Sequence, residues 1–211
     1  MMLAAALLVS AAPWPDTPQA RVEALAVLQT LNANLLSHDS ATLTLDRWCA
    51  DHHIAQPATV VAERVRGEDK PATADIRAAL KVTPDMPVAY RRVRLRCGDH
   101  VLSDADNWYV PARLTAAMND ALEQSDIAFG RAVQALHFAR HTLSATLLWS
   151  PLPDGREMTG LPGMPLRPGR LAIPDHVLEH RAILATPDGT PFSLVVESYT
   201  SAVLDFPPPA G

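Results

Sequence analysis

Lysine is nearly missing from this sequence: Lys70 and Lys81 are two of 18 basic residues, set against 23 acidic ones for a formal net charge of -5. Without a basic surplus the chain lacks the clustered positive face that binds a phosphate backbone, so no nucleic-acid partner is expected. Cysteine is limited to Cys49 and Cys97, which stand in neither a CxxC nor any other metal-ligand spacing, and that sets aside zinc ribbons and redox pairs. A glycine-rich phosphate loop, a GxSxG elbow and an HExxH pair are all absent, which weakens the claim of the nucleotide-binding, serine-hydrolase and zinc-protease classes. No apolar run reaches the about 20 residues of a membrane-spanning helix. The nearest, MMLAAALLVSAA from Met1 to Ala12, has the length of a signal-peptide core and is followed by Pro13.

What is present is ordinary: 211 residues, 48% hydrophobic and 19% charged, the make-up of a soluble globular protein. A single domain of this size buries roughly 70% of its unfolded surface and needs no disulfide or metal to hold together. The expected organisation is a signal peptide over 1–13, one domain over 14–205 and a proline-rich tail over 206–211. A retained first helical turn is the alternative for the apolar start. Export implies a periplasmic or secreted location in which Cys49 and Cys97 can pair; retention implies the cytoplasm, where both are small buried hydrophobes. A monomer is expected.

Apolar residues at Val22, Leu25, Leu28, Leu31 and Leu35 follow the three-to-four spacing of a helix over Thr17 to Leu36. A second helix follows, capped by Asp39 or Ser40 and carrying Leu43, Leu45 and Trp48. Strands are expected over Ala58 to Val65, Pro87 to Cys97, Val101 to Val110 and His137 to Trp149. Short helices are expected over Thr73 to Leu80 and Arg113 to Leu122. Between Pro151 and Asp175 six prolines and four glycines keep the backbone out of regular structure, as in a long loop or flap. A hairpin turning at Pro187, Asp188 and Gly189 joins Val177 to Leu184 with Pro191 to Tyr199. Strand pairs with tight turns and no βαβ alternation give an α+β fold, a mainly antiparallel sheet with helices packed around it.

The histidines do not argue for a metal. His137 and His141, like His176 and His180, are four apart, which on a strand is a rise of about 13 Å, too far for shared coordination. Neither a metal nor a cofactor is expected. Two charges stand out instead. In the strand ending at Cys97, Arg91 shares a face with Ala89, Val93 and Leu95, whereas Arg92, Arg94 and Arg96 share the other. Glu197 interrupts the apolar run Leu194, Val195, Val196. A charge on an inward face needs a partner. Three arrangements provide one: Arg91 and Glu197 pair with each other, both lie wet at a sheet edge, or both line a pocket in which Arg91 binds a carboxylate and Glu197 meets a hydroxyl.

Four stretches, in order over roughly Leu35 to Asp205, resemble the chorismate pyruvate-lyase family and its divergent bacterial branch. They are Asp39-Ser40-Ala41-Thr42 with Leu45 and Trp48, Arg91-Arg92-Val93-Arg94-Leu95 with Val110-Pro111, Phe129-Gly130-Arg131, and Val195-Val196-Glu197-Ser198-Tyr199. The resemblance implies a chorismate lyase-like domain and a cofactor-independent carbon–oxygen lyase that releases pyruvate from chorismate and leaves 4-hydroxybenzoate, a step toward ubiquinone. It implies Arg91 and Glu197 as catalytic residues, with the ring carboxylate on Arg91, backbone amides near Ala41, Phe129 and Gly130 assisting, and Glu197 facing the 4-hydroxyl. An ungapped match selects Arg92 in place of Arg91. One extra residue in the Gly98 to His100 turn restores Arg91 and keeps Arg94 and Arg96 out of the core. A second class is open on a similar fold: effector-binding domains of transcription regulators, which bind small acids and catalyse nothing.

Overall fold

Thr17 and Ser40 set the two long helices. The Thr17 hydroxyl accepts from the Ala20 amide and Pro18 opens the first turn of α1, Pro18–Leu36. Of the two candidate caps for α2, Ala41–Asp51, Ser40 does the capping by accepting from the Leu43 amide. Asp39 accepts instead from the Arg140 amide and so ties the helix entrance to a distant strand. The computed structural model describes residues 14–155 and 168–208. The expected signal segment and the middle of the expected flap lie outside the described residues.

Six strands form one antiparallel sheet in the order β1-β2-β3-β6-β5-β4. They are β1 Val60–Val65, β2 Ala89–Cys97, β3 His100–Tyr109, β4 Ala139–Leu147, β5 His176–Ala185 and β6 Pro191–Thr200. The fold is thus two three-stranded meanders joined where β3 pairs with β6, an α+β domain as the pattern of the sequence predicts. The short helices α3 Ala74–Ala79, α4 Ala116–Gln124 and α5 Phe129–Ala132 complete it. The helix expected over Arg113 to Leu122 is divided: Pro111–Arg113 form a single tight turn and Thr115 caps α4 afresh. The fourth strand begins two residues later than expected, because His137 takes a left-handed turn at φ 49°.

One sheet face carries two apolar clusters. Leu28, Leu31 and Leu35 of α1 and Leu45 and Trp48 of α2 pack on Val93, Leu95, Leu178 and Tyr199. Phe129, Val133 and Phe138 pack on Leu184 and Phe192. A disulfide between Cys49 and Cys97 fastens α2 to the end of β2. Phe206, placed in the tail by sequence, is packed against Trp14 and Trp48 beside His52. The opposite face is covered in part by α3, through Ile76 and Leu80 against Trp108 and Leu194. Elsewhere it is a charge ladder that includes Arg96 on Glu63 and Lys70 on Asp106. Among the described residues no helix is long and apolar enough to cross a membrane, and no group of three His, Cys, Asp or Glu side chains is placed to hold a metal.

Candidate functional site

Where the two clusters fail to meet, a pocket opens between the sheet, the start of α2 and α5. Period-two alternation puts Arg91, Val93 and Leu95 of β2 on its floor. Pairing carries the same face across: Arg91 lies opposite Asn107, and Asn107 opposite Val195. In the next row Val93 faces Ala105, which faces Glu197. Phe129, Phe138 and Leu184 close the sides. The cavity is small, about 40 Å³, room for a few waters when each needs about 10–15 Å³.

Arg91 is 2% exposed. Its Nη2 donates to the Ile127 carbonyl at 2.9 Å, while Nε and Nη1 are buried without an acceptor. Burial first, and the nearby Arg64 cation second, pull its pKa down to about 10. Beside it, Asn107 Oδ1 accepts from the Ser193 hydroxyl at 2.6 Å, leaving Nδ2 buried and unused. Three unspent donor nitrogens, on two neighbouring side chains, therefore sit at one end of an otherwise apolar pocket. The start of α2 adds to them. Ser40 serves the Leu43 and Thr44 amides through its side chain and carbonyl, so the amides of Ala41 and Thr42 are left to the rim, at the positive end of the helix dipole. Gly130 lets α5 close on this rim, since a Cβ there would lie 2.8 Å from the Ser40 hydroxyl oxygen.

The opposite end is already neutralised. Glu197 Oε2 accepts from Arg140 Nη2 at 2.6 Å and from the Tyr199 hydroxyl at 3.2 Å. Both partners of the ion pair are buried, with side chains 4% and 8% exposed. Burial opposes the Arg140 charge, but the Glu197 carboxylate, together with Tyr199 and Asp39, offsets it and holds the guanidinium pKa above its usual value. Burial and the same carboxylate push the Tyr199 phenol well up. Across from Glu197 in the register is His180, fully buried. Its Nε2 lies 2.8 Å from Asn32 Oδ1, a contact that assigns the ring proton to Nε2. Burial and the Arg140 charge pull His180 down from 6.5 to about 4.

The sign of the His180 effect follows from that depression. Between pH 6.5 and 4 the unfolded chain takes up a proton that the folded one refuses, so stability from this group is full above pH 6.5 and lost as pH falls toward 4. A histidine depressed this far loses about 3 kcal/mol of folding free energy across that range. Urea midpoints from pH 7.5 to 4 measure it. His180→Gln should flatten the slope between pH 6.5 and 4, and an unchanged slope in that variant would assign it to other groups.

Of the residues read from the sequence, Arg91, Glu197, Ala41, Phe129 and Gly130 line this one pocket. Arg92 does not. It is one residue out of phase with Arg91, so its side chain leaves the opposite face and pairs with Glu68; the alternative that made it the carboxylate ligand is corrected. Arg91 and Glu197 are neither wet nor paired with each other, and each has its own partner. Sequence reasoning missed Arg140 and Asn107. Arg140 shares the parity of Phe138, a faint signal of an inward charge that the irregularity between Thr142 and Ser144 then breaks.

No family model matches the chain. The uncharacterized protein y4mC of Sinorhizobium fredii (strain NBRC 101917 / NGR234) is 61% identical over 198 residues, which cover 93% of this chain and 83% of that protein. This chain belongs to the y4mC family. Among solved structures it resembles PhnF from Mycobacterium smegmatis, with a TM-score of 0.49 and 12% identity over 83% of this chain and 70% of that one. The transcriptional regulator of the GntR family from Enterococcus faecalis V583 follows at 0.43 and 15%, over 69% and 96%. YydK from Bacillus subtilis, described as a possible transcriptional regulator, scores 0.43 at 18% identity; the match covers 72% of this chain but 62% of that one. The expectation of a carbon–oxygen lyase is corrected here. Of these three structures that resemble this member of the y4mC family, one is described as a transcriptional regulator and one as a possible one, and none is described as a lyase. The pocket supplies a physical reason: the carboxylate meant for proton transfer is held in a buried ion pair by Arg140, which fixes its position.

Proposed function

We propose that the pocket binds a small aromatic carboxylate and releases it unchanged. The observation that carries this reading is the buried Arg91, which has no acid partner within its own hydrogen bonds and two buried nitrogens without an acceptor. A buried cation served by one carbonyl is costly to maintain. A carboxylate lying across Arg91 and Asn107 supplies charge-assisted hydrogen bonds to donors that are otherwise unmet. The ring then lies against Val93, Ala105, Phe129 and Phe138, and its far edge points to the neutralised Arg140–Glu197 pair, a polar wall suited to a hydroxyl.

Titration calorimetry with 4-hydroxybenzoate tests this. Saturable one-to-one binding is expected, and Arg91→Met should weaken it by about tenfold to a hundredfold, the loss of charged hydrogen bonds worth about 1.5–3 kcal/mol. An Arg91→Met affinity equal to wild type overturns the assignment. Incubation with chorismate should yield no pyruvate, and its release would overturn the non-catalytic reading. The Cys49–Cys97 disulfide supports an oxidising location for the mature protein and, with it, removal of the apolar segment from Met1 to Ala12. N-terminal sequencing of the native protein tests that reading, and a retained Met1 overturns it.

A further inference from the structure

Arg91 faces two cavities. Besides the apolar pocket it lines a polar one of about 200 Å³ where the chain leaving β1 meets β2, together with Arg64, Arg66, Arg92 and Glu68. Four arginines thus surround a cavity to which one carboxylate contributes, and that carboxylate, Glu68, is already paired with Arg92. Arg64 lies on the same sheet face as Arg91, since it stands opposite Val93 in the β1–β2 register. Its Nη1 donates to the Glu123 carbonyl at 2.9 Å, and Arg91 donates to the Ile127 carbonyl. Both cations are therefore anchored by neutral acceptors of one short segment, 123–127. Neither charge is compensated by these contacts, and the repulsion between them helps to depress Arg91.

A guanidinium carries five N–H donors in a planar fork, and Arg91 spends Nη2 on a carbonyl while Nε and Nη1 stay unmet. One carboxylate in the apolar pocket leaves donors for a second anion in the polar cavity. Like charges gathered in a part-buried site become favourable once an anion enters between them. We propose that the ligand is a small diacid, with its first carboxylate in the apolar pocket and its second in the polar cavity, held by Arg91 with Arg64 and Arg66. This rests on the reading of the inner pocket as a carboxylate site and adds the class of ligand it selects.

The test compares 4-hydroxybenzoate with 4-hydroxyphthalate, which carries a second carboxylate next to the first, by titration calorimetry on the full chain. The diacid is expected to bind at least about tenfold tighter, about 1.4 kcal/mol. In the double variant Arg64→Gln/Arg66→Gln the ratio of the two affinities should fall to about one. Excess inorganic phosphate should compete with the diacid and leave the monoacid in place. A wild-type ratio near one, a ratio that survives in the double variant, or displacement of the monoacid by phosphate each overturns the second subsite. Monoacid binding without a diacid advantage removes this inference alone. If neither compound binds, the inner-site reading falls with it.

Discussion

Glu197→Ala should destabilise the protein by about 3–5 kcal/mol, because it strands the Arg140 guanidinium in the interior. Arg140 has one charged partner there: Glu197 Oε2, 2.6 Å from Nη2, with both side chains buried. Its Nε is already without an acceptor, so no spare contact softens the loss. The Tyr199 hydroxyl loses its acceptor in the same step. Arg140→Met placed on top of Glu197→Ala removes the orphaned charge and should recover part of the stability, since an uncompensated buried charge costs more than the loss of the whole pair. The sign of the single-variant effect separates two roles. A carboxylate kept for proton chemistry is commonly held at a cost to the fold, so that its removal stabilises; a carboxylate that neutralises a wall of a binding pocket does the opposite. Urea unfolding of the two variants gives the answer. A loss below about 1 kcal/mol in Glu197→Ala, or no recovery in the double variant, would sink the structural role.

Much of this pocket was legible because its key residues break a local pattern. Arg91 has the parity of Val93 and Leu95, and strand alternation alone sends it inward while sending Arg92 out. The hairpins were legible for the same reason, since Gly98 and Gly189 mark turns between alternating runs and take positive φ. Whether Arg91 and Glu197 touch was not legible, because alternation fixes a face and says nothing about neighbours on it. That depends on β3 lying between β2 and β6, a long-range pairing that places the two residues' strands about 10 Å apart, beyond direct contact for side chains that point into the same cavity. Arg140 arrives from the far edge of the sheet, on β4, and reaches Glu197 past β5. Nothing within β4 announces it, since the residues around it are half-exposed or exposed and the period is interrupted at Thr142 and Ser144. The unfilled donors of Arg91 and Asn107 likewise exist only once the fold withholds their partners.

Reduction of the Cys49–Cys97 disulfide, or Cys49→Ala/Cys97→Ala, should lower stability by about 4 kcal/mol on the chain-entropy account, given a sequence separation of 48 residues. The protein should still fold, because α1, α2 and the sheet share a large apolar cluster around the bridge and a domain of this length does not rely on a crosslink. Most of the effect belongs to the unfolded chain, which regains the freedom of the opened loop. A smaller part is local. Both cysteines are fully buried, and they fasten the C-terminal turns of α2 to β2, while the N-terminal turn of the same helix lines the pocket. Ligand affinity should therefore fall less than stability does, as α2 remains seated through Leu45 and Trp48. Paired urea titrations with and without dithiothreitol, with thiols counted at each end point, measure the loss. An unchanged midpoint with both thiols free would show that the bridge contributes nothing to the fold. A loss of the expected size means that the same chain in a reducing compartment would give up a large share of the about 5–15 kcal/mol typical of a domain, and this ties its stability to an oxidising location.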